Sequence, residues 1–187
     1  MAIRSAGMSA LRRARHAIGG TAVVLSYHRF ASEPCDPQRL CIDPADFEAH
    51  LRVLAERYTP IVLGEVFGAI AEGRRLPDRA VAVTIDDGYA DALLVARPLL
   101  AQHGVPATVF VSSGYVGAPA FWWDEVERLV LGPGTLPDKV ELAAGHTRFE
   151  SAIAEARTLD EETAASFCAW DASQPATHPR QRLYLDL

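Results

Sequence analysis

Asp86-Asp87-Gly88 is the strongest chemical signal in the sequence, and it closes the apolar run Ala80-Val81-Ala82-Val83-Thr84-Ile85. Within a regular strand, neighbouring side chains point to opposite faces. Two adjacent carboxylates therefore share one site only where a strand unwinds into its loop, and Gly88 permits that unwinding. There, one carboxylate can hold a metal ion while its neighbour takes a proton from bound water. The same spacing fits a plainer arrangement, one Asp in a turn and one capping the next helix. His28 follows another apolar run, residues 22–27. It should reach the same mouth as Asp86 and Asp87, either lining the site or hydrogen-bonded to nearby backbone.

The elements that must position these residues are legible from pattern. Residues 22–27, 61–63, 80–85 and 107–112 read as short strands, the third apolar nearly throughout, as in a parallel strand covered on both faces. Asp43-Pro44 opens a helix, with Asp as N-cap and Pro at the first helical position. Phe47, Leu51, Leu54 and Tyr58 give that helix one apolar face. Residues 64–72 form an amphipathic segment. A helix over 90–103 must kink or restart at Pro98 and stops at Gly104. Residues 121–131 make the next helix. Strand and helix in alternation mark an α/β fold with a parallel sheet, whose ligand mouth lies at strand ends. After Gly132 the pattern changes: 140–142 pairs with 148–150 as a hairpin, 151–169 is helical, and the apolar ending Leu183–Leu187 starts another helix or strand.

The 187 residues suffice for one domain with a real core. A net charge of −6 points away from nucleic acid. Residues 1–20 form a basic extension carrying Arg4, Arg12, Arg13 and Arg15, frayed or loosely helical. No apolar stretch is long enough for a signal core or a transmembrane segment, which favours the cytoplasm. Cys35, Cys41 and Cys168 are odd in number and lack C-x-x-C spacing, so three unpaired thiols are expected.

Three segments in order, Ser26-Tyr27-His28-Arg29-Phe30, Thr84-Ile85-Asp86-Asp87-Gly88-Tyr89-Ala90-Asp91 and Gly104-Val105-Pro106-Ala107-Thr108-Val109-Phe110-Val111, together resemble the polysaccharide deacetylase family (NodB homology domain). Phe121-Trp122-Trp123-Asp124-Glu125 extends the likeness to one branch. The resemblance implies an α/β fold, the N-terminal part of a distorted (β/α) barrel with parallel strands, cut short before the barrel closes. Residues 21–131 would be that part of the domain and 132–187 an insertion-like segment. The family's T-F-D-D-G motif falls on residues 84–88, with Ile85 in place of Phe. By that correspondence Asp86 is the general base, and Asp87 a ligand of a divalent metal, usually zinc. The implied reaction is hydrolysis of acetyl groups on an N-acetylated or O-acetylated carbohydrate polymer.

One departure bears on all of this. The family completes its metal site with two histidines four residues apart. His16, His28, His50, His103, His146 and His178 include no such pair. Gly145-His146-Thr147 and Thr177-His178-Pro179 each resemble half of that motif. The expectation is therefore an incomplete, inactive site in this chain alone. The alternative is a non-catalytic half-barrel module or partner subunit that self-associates through its open edge. Phe121, Trp122 and Trp123 could stack on sugar rings but are expected mainly in the core. Asp124, Glu125 and Glu127 are expected on a solvated helix face, and His50 and His103 on helix surfaces.

Overall fold

The computed structural model describes residues 20–187, so the basic extension expected over residues 1–20 lies outside it but for Gly20. Packing divides the chain into two units. One takes the chain as far as Ser32 together with Leu40–Ser112, and the other joins Glu33–Arg39 to Ser113–Leu187. This division falls ahead of the change in sequence pattern after Gly132.

The first unit is α/β, built on an open parallel sheet. Strands β1 (Ala22–Tyr27), β2 (Thr59–Pro60) and β4 (Ala107–Val109) all run parallel to β3 (Ala80–Ile85). β1 pairs with β3 along its whole length, Ala22 opposite Ala80 through Tyr27 opposite Ile85. The Val81 carbonyl accepts from Ile61 N–H and the Ile85 carbonyl from Phe110 N–H, both at 2.8 Å. Carbonyls two or four residues apart point to one edge. β2 and β4 therefore share the edge of β3 away from β1.

Every residue of β3 is buried, as its apolar run requires. Val81, Val83 and Ile85 pack with Phe47, Leu51 and Leu54 of helix α1 (Pro44–Arg57). Ala80 and Ala82 pack with Val66 and Ala69 of helix α2 (Leu63–Glu72). The alternating side chains of one strand thus serve two apolar clusters. α1 begins as its sequence dictates, with Pro44 in the first turn and the Asp43 carboxylate accepting from Ala45 N–H at 2.8 Å. Tyr58, expected on the apolar face, instead ends the helix in extended backbone and is 41% exposed.

The strand expected at 61–63 is displaced. β2 occupies Thr59–Pro60, and Leu63 already opens α2, where its side chain is buried. After the Ile61 bond to Val81, the apolar pattern of 63–69 is better satisfied on a helix face than on a strand. The helix expected over 90–103 is split: a π-helical turn at Ala92–Ala96 precedes helix α3 (Arg97–His103). Pro98 has no N–H for the carbonyl four residues before it. The wider turn takes up the defect, with Arg97 N–H donating to the Ala92 carbonyl five residues back.

The second unit holds helix α4 (Trp122–Val130), strands β5 (Gly134–Thr135), β6 (Lys139–Ala144), β7 (Thr147–Ala152) and β8 (Thr158–Leu159), and helices α5 (Glu161–Ser166) and α6 (Pro179–Asp186). β6 and β7 form the expected hairpin, longer than read from sequence, and β5 pairs antiparallel with β8. Residues 151–169 are therefore only partly helical, because strand pairing claims Ser151, Ala152, Thr158 and Leu159. The ending is a helix: Pro179 opens it, and Leu183 and Tyr184 are buried with Trp170 and Phe167. Arg180 is fully buried and donates to the carbonyls of Ala156, Leu129, Val130, Gly134 and Arg157.

Two cysteines depart from the expectation of free thiols. Residues 33–39 lie on the second unit and bring Cys35 to Cys168, with Cα atoms 4.2 Å apart, as a disulfide. An odd count forbids a fully paired set, not a single bridge, and Cys41 stays outside this one.

Candidate active site at a strand end

Because β1 and β3 are parallel and in register, His28 and Asp86 leave their strands at the same end. Pairing continues one step past β3, with Asp86 N–H donating to the Tyr27 carbonyl at 2.9 Å. Ser26 Oγ donates to Asp86 Oδ2 at 2.6 Å, fixing the carboxylate. His28 Nε2 lies 4.0 Å from the same oxygen, and both side chains are about one-third exposed, at 34% and 36%. That separation is beyond a direct hydrogen bond, and both groups are open to solvent.

The unwinding expected at Gly88 starts one residue earlier. Asp87 has φ 67° and Gly88 φ 85°, both in the left-handed region. Gly88 N–H donates to the Asp86 carbonyl at 2.8 Å, and Ser112 N–H to the Asp87 carbonyl at 2.9 Å. These bonds hold a tight turn that an L residue enters at a cost of about 1–2 kcal/mol, less for Asp. A Cβ on Gly88 would stand 3.1 Å from Val111 Cγ1, so the turn also needs glycine for space. Strain kept at a non-glycine residue is an indicator of a functional position.

A second set of residues had no role in the sequence reading. Arg29 places its guanidinium 4.8 Å above the Tyr89 ring and its Nε 3.4 Å from Asp91 Oδ2. It thereby ties the backbone after His28 to the turn after Asp87. Asp91 Oδ1 is buried, with no hydrogen-bond partner among the described residues. The signal available in the sequence was that Arg29 and Asp91 lie at the same strand ends as His28 and Asp86.

The other histidines are placed elsewhere. His50 Nδ1 meets the Tyr27 hydroxyl at 3.1 Å, and burial pushes that phenol's pKa up. His103, expected at the surface, is half-buried and lies 3.3 Å from Glu48. His178 caps α6, its Nδ1 accepting from Arg180 N–H at 3.1 Å. Desolvation and the neighbouring Arg180 lower its pKa. His146 is exposed at the β6–β7 turn. Among the described residues no three His, Cys, Asp or Glu side chains converge as a metal site. Catalytic zinc takes three protein ligands, so the described residues do not by themselves fit it.

The aromatic segment divides. Core packing was expected of one or two of the three: Phe121 is buried and stacks on Trp123 at 4.5 Å, and Trp122 is 54% exposed. Asp124 is not merely solvated: its carboxylate accepts from Phe121 N–H at 3.1 Å and caps α4. Beside the Asp86–Gly88 turn, a cleft of about 430 Å³ is lined by Gly88, Tyr89, Leu93, Val109 and Val111.

Residues 73–133 match the family described as polysaccharide deacetylase. A Bacillus subtilis protein, YxkH, assigned by name to the polysaccharide deacetylases, is 28% identical over 95 residues, 50% of this chain and 33% of that protein. The poly-beta-1,6-N-acetyl-D-glucosamine N-deacetylase of Escherichia coli is 27% identical over 99 residues, 52% of this chain and 15% of that one. The chain thus spans a third or less of the length of these curated relatives. Among solved structures, IcaB from Ammonifex degensii is similar with a TM-score of 0.48 and 26% identity, over 61% of this chain and 50% of that one. Deacetylase PplD from Streptococcus pyogenes gives a TM-score of 0.47 and 24% identity, over 57% and 50%.

Proposed function

We propose, on the premise that this chain carries part of a polysaccharide deacetylase domain, that its strand-end carboxylates serve hydrolysis of acetyl groups on an N-acetylated or O-acetylated carbohydrate polymer. The observation that carries the reading is the Asp86 carboxylate, held by Ser26 at 2.6 Å beside His28 and still open to solvent. In this reading Asp86 is the general base. It accepts a proton from the water that attacks the acetyl carbonyl, while Ser26 keeps the accepting group in one orientation. His28 lines the same mouth.

Asp87 is the carboxylate this chain would offer to a divalent metal, zinc by family resemblance. The described residues do not complete a zinc site, so no step is assigned to the metal. In this reading its remaining ligands come from outside the described residues. A zinc titration of the 187-residue chain, with Asp87→Ala as control, is the test. Near-stoichiometric binding that the substitution abolishes supports the assignment, and binding unchanged by it removes Asp87 from the metal's ligands. Absence of binding to either chain leaves a fold and a base whose metal is held by a longer protein or a second chain.

A second reading, a non-catalytic half-barrel that pairs with another chain, is favoured by the strands themselves. Val23 and Val24 of β1 are 48% and 49% exposed, and Phe110 and Val111 after β4 are 51% and 56% exposed.

A further inference from the structure

We propose that the Cys35–Cys168 disulfide is a reducible clasp that holds residues 33–39 on the second unit and opens to small thiols of the glutathione class. Cys35 is exposed and Cys168 half-buried. Both border a cleft of about 330 Å³ lined also by Pro37, Leu131, Ala164 and Phe167, so a small thiol reaches the bond without unfolding the unit. Exposed disulfides are the labile ones, in contrast to bridges sealed in a core.

The residues around the bridge let it open without loss of the fold. Pro37 is buried, and its carbonyl accepts from Ala172 N–H at 2.7 Å. Gln38 donates to the Tyr184 hydroxyl at 2.7 Å, and Arg39 pairs with Asp171. These contacts persist after reduction: Asp171 and Tyr184 are buried, but Gln38 and Arg39 on the segment are exposed, so what remains is a partial hold. Reduction therefore lowers the cost of local opening over 33–39 rather than of global unfolding.

The segment has a consequence for the candidate site through the backbone at its far end. Arg29 N–H donates to the Leu40 carbonyl at 3.1 Å, and the Arg29 carbonyl accepts from Ile42 N–H at 3.0 Å. The chain that leaves His28 and Arg29 passes through the clasped segment and returns to pair with Arg29.

The exchange is balanced. A thiolate attacks one cysteine sulfur, forms a mixed disulfide and expels the other cysteine as a thiolate, which takes a proton from water. A second thiol then resolves the mixed disulfide. The protein bond becomes two thiols, and two reductant thiols become one disulfide.

Arg39 supplies a built-in reporter, because trypsin cleaves after it. The intact chain is equilibrated in glutathione buffers from oxidising to reducing. Free thiols are counted by mass shift on alkylation, and the rate of cleavage after Arg39 is measured, with near-ultraviolet circular dichroism as the check on fold. Expected are one free thiol and slow cleavage when oxidised, and three free thiols with cleavage about tenfold faster when reduced, the dichroism unchanged. Cys168→Ser and Cys35→Ser should each be cleaved at the fast rate in every buffer, and Cys41→Ser should behave as the parent. Three free thiols in the oxidised protein, a bond that resists reduced glutathione, or an opened bond with unchanged cleavage would each overturn the proposal.

Discussion

Asp87 combines a backbone angle that favours glycine with a side chain that the proposed chemistry needs. With φ at 67°, replacement by glycine relieves strain. Asp87→Gly is expected to hold or raise stability by up to about 1 kcal/mol while abolishing zinc binding. Gly88→Ala should be destabilising by about 1–2 kcal/mol, since it adds both left-handed strain and a Cβ 3.1 Å from Val111. Chemical denaturation of the two variants checks both signs. Where acetate release from acetylated glucosamine oligomers is detectable, Asp86→Asn should lower it by about 100-fold or more, as loss of a general base does. The paired carboxylates were legible because a strand running into Asp-Asp-Gly has few physical solutions. Ser26 as the partner of Asp86, and Arg29 as the partner of Asp91, were not, for they lie 60 and 62 residues apart in the chain. Only the parallel register of β1 with β3 brings them together.

At the scale of elements, helix ends set the response to acid. The Ser32 hydroxyl and the Ala45 N–H hold the Asp43 carboxyl below its usual pKa, and hydrogen bonds from Thr163 do the same for Asp160, which caps α5. A depressed folded-state pKa contributes stability that is fully present above the unfolded value, about 4, and is lost as pH falls through the folded one. Thermal midpoints should therefore drop as the pH falls below about 4. Asp43→Ala should lower the midpoint by a few degrees at pH 7 and have less effect at pH 2. Circular dichroism melts across that range read both. In the second unit the decisive residue is Arg180 of α6, whose guanidinium serves carbonyls at the end of α4, at β5 and before β8. Arg180→Met leaves those buried acceptors without donors and should cost about 3 kcal/mol or more, seen as a lower denaturation midpoint. The α1 start was legible because Asp43-Pro44 is a local signal. The strands inside 151–169 were not, since the alanine-rich composition favours a helix and the pairing partners of Thr158 and Leu159 lie at Gly134 and Thr135.

For the molecule as a whole, the parallel order of the strands was readable from alternating pattern, whereas the route of the chain between two units was not. Residues 33–39 look like an ordinary polar loop, and nothing local marks Cys35 as the partner of a cysteine 133 residues later. β1 pairs only with β3 among the described strands, and it carries exposed Val23 and Val24. An apolar strand with an open edge is a template for pairing. The chain should therefore associate as its concentration rises in light scattering, and Val24→Lys should reduce that association without lowering the melting midpoint. The separation of the two cysteines also sets a clock during synthesis. At about 5–20 residues per second, roughly 7–27 seconds pass between translation of Cys35 and of Cys168. For all but about the first second of that interval the ribosome has delivered Cys41 but not the rightful partner, and Asp171 and Tyr184, which also hold the segment, arrive later still. A nascent chain that meets an oxidant in those seconds has one thiol available to Cys35, and it is the wrong one.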